Sequence, residues 1–177
     1  GLRHLSDAQA IDQSAKEAEN IVIIGSGLVG LDAAYGLMET GKNVSIVEMA
    51  DRILPVQLDK TAAKEYQKRF ESAGAKFYLG RKAAETKMDE TGKITTVILD
   101  NGEALKSDLI IVAAGVRSAT AGFETEEIIV DRGMKVDEFM QTGAKDVYAA
   151  GDVTGLSGIW PNAQKQGETA ALNMMGG

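Results

Sequence analysis

The sequence predicts an α/β fold, a parallel sheet covered by helices with an inserted three-stranded antiparallel β-meander. Three observations predict it. The apolar runs at residues 21–24 and 109–113 do not alternate, as expected for strands buried on both faces of a parallel sheet. Helical spacing marks the segments between the early strands, with Leu28, Leu31, Tyr35 and Met38 on one stripe and Ala62, Tyr66, Phe70 and Ala73 on another. From residue 83 the pattern changes to short strand-like runs divided by DETG and DNGE, both turn sequences.

The elements follow in order. Ser6-Asp7 before AQAIDQSAKEAEN reads as the N-cap of a surface helix leading into the first strand, 21–24. The next helix ends at Gly41, a natural C-terminal cap, and 44–47 is the second strand. Leu54-Pro55 breaks the chain, Asp59 caps a helix that Gly74 ends, and 76–79 is the third strand. The runs 83–88, 93–99 and 104–107 form the meander in place of a crossover helix, and 109–113 returns to the main sheet. Residues 116–145 are looser, with short strand candidates at 128–130 and 134–136. The segment DVYAAGD, 146–152, reads as a strand ending in Gly-Asp. A helix from about 161 to 175, with Pro161 in its first turn, closes the chain.

At 177 residues the chain fits one domain, or one domain plus a fragment of another. Its 44% hydrophobic and 25% charged content is that of a soluble globular protein. A net charge of −7 argues against a nucleic-acid backbone or an anionic membrane as partner. The absence of cysteine excludes disulfides, thiolate metal sites and a redox dithiol within the chain, and fits a cytoplasmic location. No apolar run approaches the roughly 18 residues needed to cross a bilayer, and no signal-like segment opens the chain. Starting at Gly1 and ending on Gly176-Gly177, it reads as a piece excised from a longer protein.

The chemistry concentrates in IVIIGSGLVGLDAAYGLMETGKNVSIVE, residues 21–48. Gly25 allows a sharp turn out of the strand, Gly27 lets a pyrophosphate approach the backbone, and Gly30 lets the helix pack closely on the strand. Ser26, Leu28 and Val29 complete the phosphate loop, whose helix N-terminus offers free N–H groups and a partial positive charge. Glu48, about 20 residues on, is placed to accept the ribose hydroxyls of an adenosine without a 2′-phosphate. The expectation is a Rossmann-like site for NAD or FAD; the bland alternative is a tight β–α turn with no ligand. Because an acid at the ribose repels a 2′-phosphate, NAD(H) is preferred over NADP(H). Arg52 is the counter-argument, since it either accommodates that phosphate or is a solvated or ion-paired surface residue.

No nucleophile–base constellation accompanies this loop. His4 is alone near the terminus. Tyr35, Tyr66 and Tyr78 fall on apolar faces and read as core. Asp89-Glu90, Glu124 and Glu126-Glu127 read as solvated charge, with neither metal nor glycosidase roles.

The glycine loop with Glu48, RILP at 52–55, the meander, DLIIVAAGVR at 108–117 and VYAAGD at 147–152 together resemble the pyridine nucleotide-disulfide reductase superfamily of two-cofactor flavoenzymes. The resemblance covers essentially the whole chain. It implies an NAD(H)-binding domain over 1–117. Residues 118–177 would be a connection and the start of the second half of an FAD-binding domain, whose first half is absent from this chain. It also implies that Asp152 bonds a ribityl hydroxyl, that Gly151 leaves room for the cofactor, and that the helix N-terminus near Pro161-Asn162-Ala163 faces the flavin C2 carbonyl. The nucleotide-lining set is completed by Asp32, Met49, Ala114 and Gly115. WPNAQKQGETAALNMMG is similar to the corresponding segment of NADH oxidases, rubredoxin reductases and the flavoprotein part of NAD(P)H nitrite reductases. Two departures stand out. Asp32 replaces the Glu of many members, and Ser118-Ala119 replaces a Pro-Asn pair.

The implied activity is hydride transfer from NADH to FAD and onward to an acceptor that this chain does not name. The piece alone is expected to be inactive. A non-catalytic NAD-sensing module is the second reading. An S-adenosylmethionine methyltransferase is a third, against which the meander and the Gly-Asp site speak.

Overall fold

The computed structural model describes residues 1–176. Two compact units divide it: Gly1–Gly115, and one that begins at Val116.

The first unit runs α1 (Leu5–Glu17), β1 (Asn20–Ile24), α2 (Leu28–Glu39), β2 (Asn43–Glu48), α3 (Lys60–Ser72), β3 (Lys76–Leu79), β4 (Ala83–Met88), β5 (Ile94–Leu99), β6 (Ala104–Lys106) and β7 (Leu109–Val112). Its main sheet has the order β3-β2-β1-β7, and β4-β5-β6 forms a separate sheet. All main-sheet pairings are parallel; Ile23 lies opposite Ile46 on one side and Ile111 on the other. The meander is antiparallel throughout. The α/β architecture with its inserted meander is therefore the one expected.

The unbroken apolar run of β1 has a direct cause. Ile21 and Ile23 pack with Leu31, Ala34, Leu37 and Ala63 on the helical side. Val22 faces the other way, joining Val47 to Val97, Leu99 and Leu105 of the meander. The meander thus seals the second face of the sheet, where a helix would otherwise lie. Each fully buried Ile or Val there contributes about 1.5–3 kcal/mol relative to exposure.

Several local expectations need correction. The N-cap of α1 is His4; Asp7 sits inside the first turn, and its Oδ2 accepts from the N–H of Arg3 at 2.8 Å and of His4 at 2.9 Å. An acid three residues into a helix serves this purpose by reaching back to the orphan donors. In α2 the buried residues are Gly30, Leu31, Ala34 and Leu37, leaving Leu28 57% and Tyr35 58% exposed. In α3, Asp59 is the cap as expected, accepting from Ala62 N–H at 2.8 Å. The buried stripe keeps Phe70 as expected but starts one residue later than the sequence suggested. Ala63 is buried and Phe70 half-buried, while Ala62 and Tyr66 point outward. Phe70 stands edge-on to Phe77 with centroids 6.2 Å apart. Only Tyr78 of the three tyrosines packs against core.

In the second unit, Ile128, Met134, Ala144 and Ala149 form a small core with Val130, Val136 and Val153. The strand candidates at 128–130 and 134–136 reduce to one antiparallel bridge, Val130 with Met134. The expected strand DVYAAGD is likewise a single bridge, Tyr148 with Gln141. The cause is backbone conformation: Asp146 and Gly151 have φ of 58° and 79°, which a continuing strand does not allow. A 3-10 turn, Gly151–Thr154, follows, and α4 (Trp160–Met174) starts with Pro161 in its first turn.

Candidate functional site: a nucleotide cradle

At the end of β1 the Gly25 N–H donates to Val47 O at 2.8 Å, and the chain turns with φ +105°. A Cβ here would lie 2.4 Å from Ala113 O, and one on Gly30 would lie 2.1 Å from Gly25 O. These two glycines are required by the protein's own backbone. Gly27 differs, because a Cβ there would meet nothing within 4 Å. It is the N-cap of α2, with no side-chain capping bond and no acid in the first turn. The N–H groups of Leu28, Val29 and Gly30 precede the first intrahelical bond, Leu31 N–H to Gly27 O at 3.0 Å. Open space above an uncapped, partially positive helix end fits a pyrophosphate.

Glu48 closes β2 at the same edge of the sheet. Its Oε2 accepts from both the N–H and the hydroxyl of Ser26, each at 2.9 Å, and its Oε1 accepts from Ala50 N–H at 2.8 Å. Ser26 is wholly buried. Ser26 lies in the glycine loop, with both its N–H and its hydroxyl turned to Glu48. Oε2 is thereby filled, and Oε1 retains one lone pair with which to accept a ribose hydroxyl.

The loop after Glu48 has an exposed Met49 and an engaged Arg52. The Arg52 Nε donates to Leu58 O at 3.1 Å, Nη2 to Pro55 O at 2.9 Å and Nη1 to Asp51 Oδ1 at 3.0 Å. The Lys60 ammonium at 2.7 Å, and then Arg52, hold the Asp51 carboxyl below its ordinary range. Leu54 N–H donates to Ser26 O at 3.0 Å.

Ala114 and Gly115 follow β7, both exposed, with Gly115 at φ +82°. Since β1, β2 and β7 are parallel, Gly25–Gly30, Glu48 and Ala114-Gly115 gather outside the carboxyl ends of the strands, where open α/β sheets bind ligands. Asp32 is exposed on α2 and lines a groove of about 410 Å³ with Leu28, Tyr35, Tyr66 and Arg69. Among the described residues no group of three or more side chains is arranged to hold a metal, and no helix is long and apolar enough to cross a membrane.

In the second unit Gly151 N–H donates to Gln166 Oε1 at 2.7 Å, and the Thr154 hydroxyl to Gly151 O at 2.8 Å. A Cβ on Gly151 would lie 3.4 Å from Ala163 Cβ. The Ser118 hydroxyl donates to Asp152 O at 2.6 Å, while the Asp152 side chain is exposed. Gln166 was missed in the sequence; its only signal is its place one turn after Ala163 on α4.

Fold and cradle define an α/β protein whose residues fit a dinucleotide. Residues 1–167 match the family described as pyridine nucleotide-disulphide oxidoreductase, and the chain belongs to that family. It is 34% identical to the NADH-dependent phenylglyoxylate dehydrogenase subunit epsilon of Aromatoleum evansii, over 99% of this chain and 43% of that one. It is 32% identical to an NADH oxidase of Enterococcus faecalis, over 85% of this chain and 34% of the relative. A ferredoxin reductase from Rhodopseudomonas palustris superposes with a TM-score of 0.86 at 24% identity, over 99% of this chain and 46% of that chain, a likeness of fold. The chain therefore spans less than half the length of these relatives.

Proposed function

We propose that this chain is the NADH-binding portion of a flavoprotein oxidoreductase that passes hydride from NADH to FAD and then to an acceptor carried elsewhere. The observation that carries the proposal is the braced Glu48 carboxylate beside the open, uncapped N-terminus of α2. The helix end binds the pyrophosphate, and Glu48 takes the adenosine ribose and disfavours a 2′-phosphate. When bound, the nicotinamide supplies the hydride and the flavin accepts it. The side chains of this piece bind and orient; none is asked to move a proton. This agrees with the lack of a nucleophile–base cluster.

In the same reading residues 1–117 are the NAD(H) domain and 118–177 begin the second half of an FAD domain. The division of contacts near residue 115 supports that assignment. Gly151, Asp152 and Ala163 form the flavin-facing turn, with Gln166 fixing the peptide of Gly151. The protein works in the cytoplasm, and the piece alone binds NADH but turns over no substrate.

Two measurements test this. In the isolated chain, NADH titrates with higher affinity than NADPH; equal affinities sink the stated preference. The full-length protein is yellow and bleaches when NADH is added without oxygen. A colourless full-length protein with saturable NADH binding points to the sensing module instead.

A further inference from the structure

Arg52 lies beside the adenosine end of the proposed site, where a cation is ordinarily read as a phosphate ligand. Its environment argues otherwise. The side chain is 29% exposed, and its Nε and both terminal nitrogens already donate, to Leu58 O, Pro55 O and Asp51. Three of its five N–H groups are thus committed, two of them to carbonyls of its own loop, and swinging the side chain toward a phosphate would break those two bonds. The ties from Arg52 to Pro55 and Leu58 span Leu54, a non-glycine residue at φ +46°. A bulky side chain in that region is strained, and such a conformation persists only where its surroundings over-determine it. Pro55 disfavours right-handed helical backbone at Leu54. The Leu54 side chain is buried, and its carbonyl accepts from Gln57 and Leu58 N–H at 3.0 and 2.9 Å. Arg52 ties the far side of this turn back to its start.

The strained residue touches the site through its one remaining group. Leu54 N–H donates to Ser26 O at 3.0 Å, and the N–H and hydroxyl of the same Ser26 hold Glu48. Resting on the ribose role proposed for Glu48, we infer that Arg52 is a positioning residue of the nucleotide cradle. It acts on Glu48 through Leu54 and Ser26 and does not bind a 2′-phosphate. Its guanidinium suits the task because a planar fork satisfies two carbonyls at once, which an ammonium does not.

The test is Arg52→Met in the full chain, with Arg52→Lys beside it. NADH and NADPH are titrated by fluorescence, and amide hydrogen exchange is followed without nucleotide. Arg52→Met should weaken NADH about three- to tenfold, the scale of a misplaced charge-assisted hydrogen bond, and weaken NADPH no more than NADH. Exchange at the Leu54 and Ser26 amides should quicken about tenfold or more. Arg52→Lys should fall between, and it serves alone if the Met variant does not fold. Loss of NADPH affinity with NADH unchanged would overturn the inference, as would unaltered exchange at both amides. If the unsubstituted chain binds no NADH but the variant's exchange quickens, the ribose role of Glu48 fails while the mechanical link stands.

Discussion

Ser26 and Glu48, 22 residues apart in the chain, are joined by two hydrogen bonds of 2.9 Å to a single carboxylate oxygen. The pairing ties the turn after β1 to the end of β2 and sets the direction in which the acid's remaining lone pair, on Oε1, points. Glu48 is thus held before any ligand arrives, so binding need not order it.

Ser26→Ala removes one of those bonds and leaves the backbone donor. NADH affinity should fall about fivefold to tenfold, in keeping with a hydrogen bond to a charged group. Isothermal titration calorimetry measures it, and an unchanged Kd would show that the hydroxyl contributes nothing to the acid's placement.

In the proposed reading the acid both accepts from ribose and repels phosphate, so Glu48→Ala should weaken NADH about tenfold or more and narrow the gap to NADPH. Competitive titration with the two nucleotides reads both effects. A fall in affinity with the ratio preserved would assign discrimination to another residue.

The three loop glycines should separate by what they disturb. Gly25→Ala and Gly30→Ala push a methyl into backbone at 2.4 and 2.1 Å, and should lower Tm by about 5–10 °C. Gly27→Ala meets no protein atom within 4 Å; its Tm should stay within about 2 °C while NADH affinity drops about tenfold or more. Thermal scans with and without nucleotide distinguish the two classes. A Gly27→Ala chain that binds normally would remove the pyrophosphate from this helix end.

Asp108 supplies a pH signature. Its Oδ2 accepts from Asn20 N–H at 2.8 Å, Asn20 Nδ2 at 3.0 Å and Glu19 N–H at 3.1 Å, tying the start of β1 to the start of β7. The Asn20 backbone bond leads in lowering its carboxyl below the usual range. A depressed folded pKa gives stability that is whole above the unfolded value of about 3.9 and is lost as pH falls through the folded value. Asp108→Asn should therefore lower Tm by about 2 °C at pH 7, a modest figure for a largely exposed group, and by nothing once the pH is below the folded pKa. A difference that persists in strong acid would rule out the carboxylate charge as its source.

Local chemistry was legible in the sequence and long-range geometry was not. The positions of Gly25, Gly30 and Glu48 followed from spacing because strand, turn and helix have fixed rises. The meander followed from DETG and DNGE, whose Gly92 and Gly102 take φ of 82° and 85°. The Ser26–Glu48 pairing was invisible because nothing local to Ser26 separates a phosphate-loop serine from one turned inward. The start of the α3 stripe was misplaced by one residue, though Phe70 was not, because Ala62 and Ala63 are equally apolar and only packing chooses between them. Tyr35 and Tyr66 looked like core because periodicity reports a stripe's existence and not its edge. The strand expected at DVYAAGD is shortened to the stretch between the left-handed residues Asp146 and Gly151, which no propensity reveals, and pairs there through one bridge. Asp89 is exposed, as its reading as solvated charge in a turn expects, and it also builds the first meander turn, accepting from Thr91 N–H at 2.8 Å and its hydroxyl at 2.6 Å.

The layer that seals the second face of the main sheet is built of hairpins, and hairpins have free tips. A helical crossover spans its strands from end to end, so lengthening it shifts where the next strand begins. The turns at Gly92 and Gly102 carry no such obligation, because each returns the chain to its own partner strand. Glu90 is exposed at the Gly92 turn, whereas the Gly102 turn sits beside the carboxyl end of β3, with Asp100 N–H donating to Lys82 O and Arg81 N–H to Glu48 O. The Gly92 tip is therefore where the chain can accept an inserted peptide, a fluorophore or an immobilising tag while the glycine-loop end of the sheet keeps its geometry.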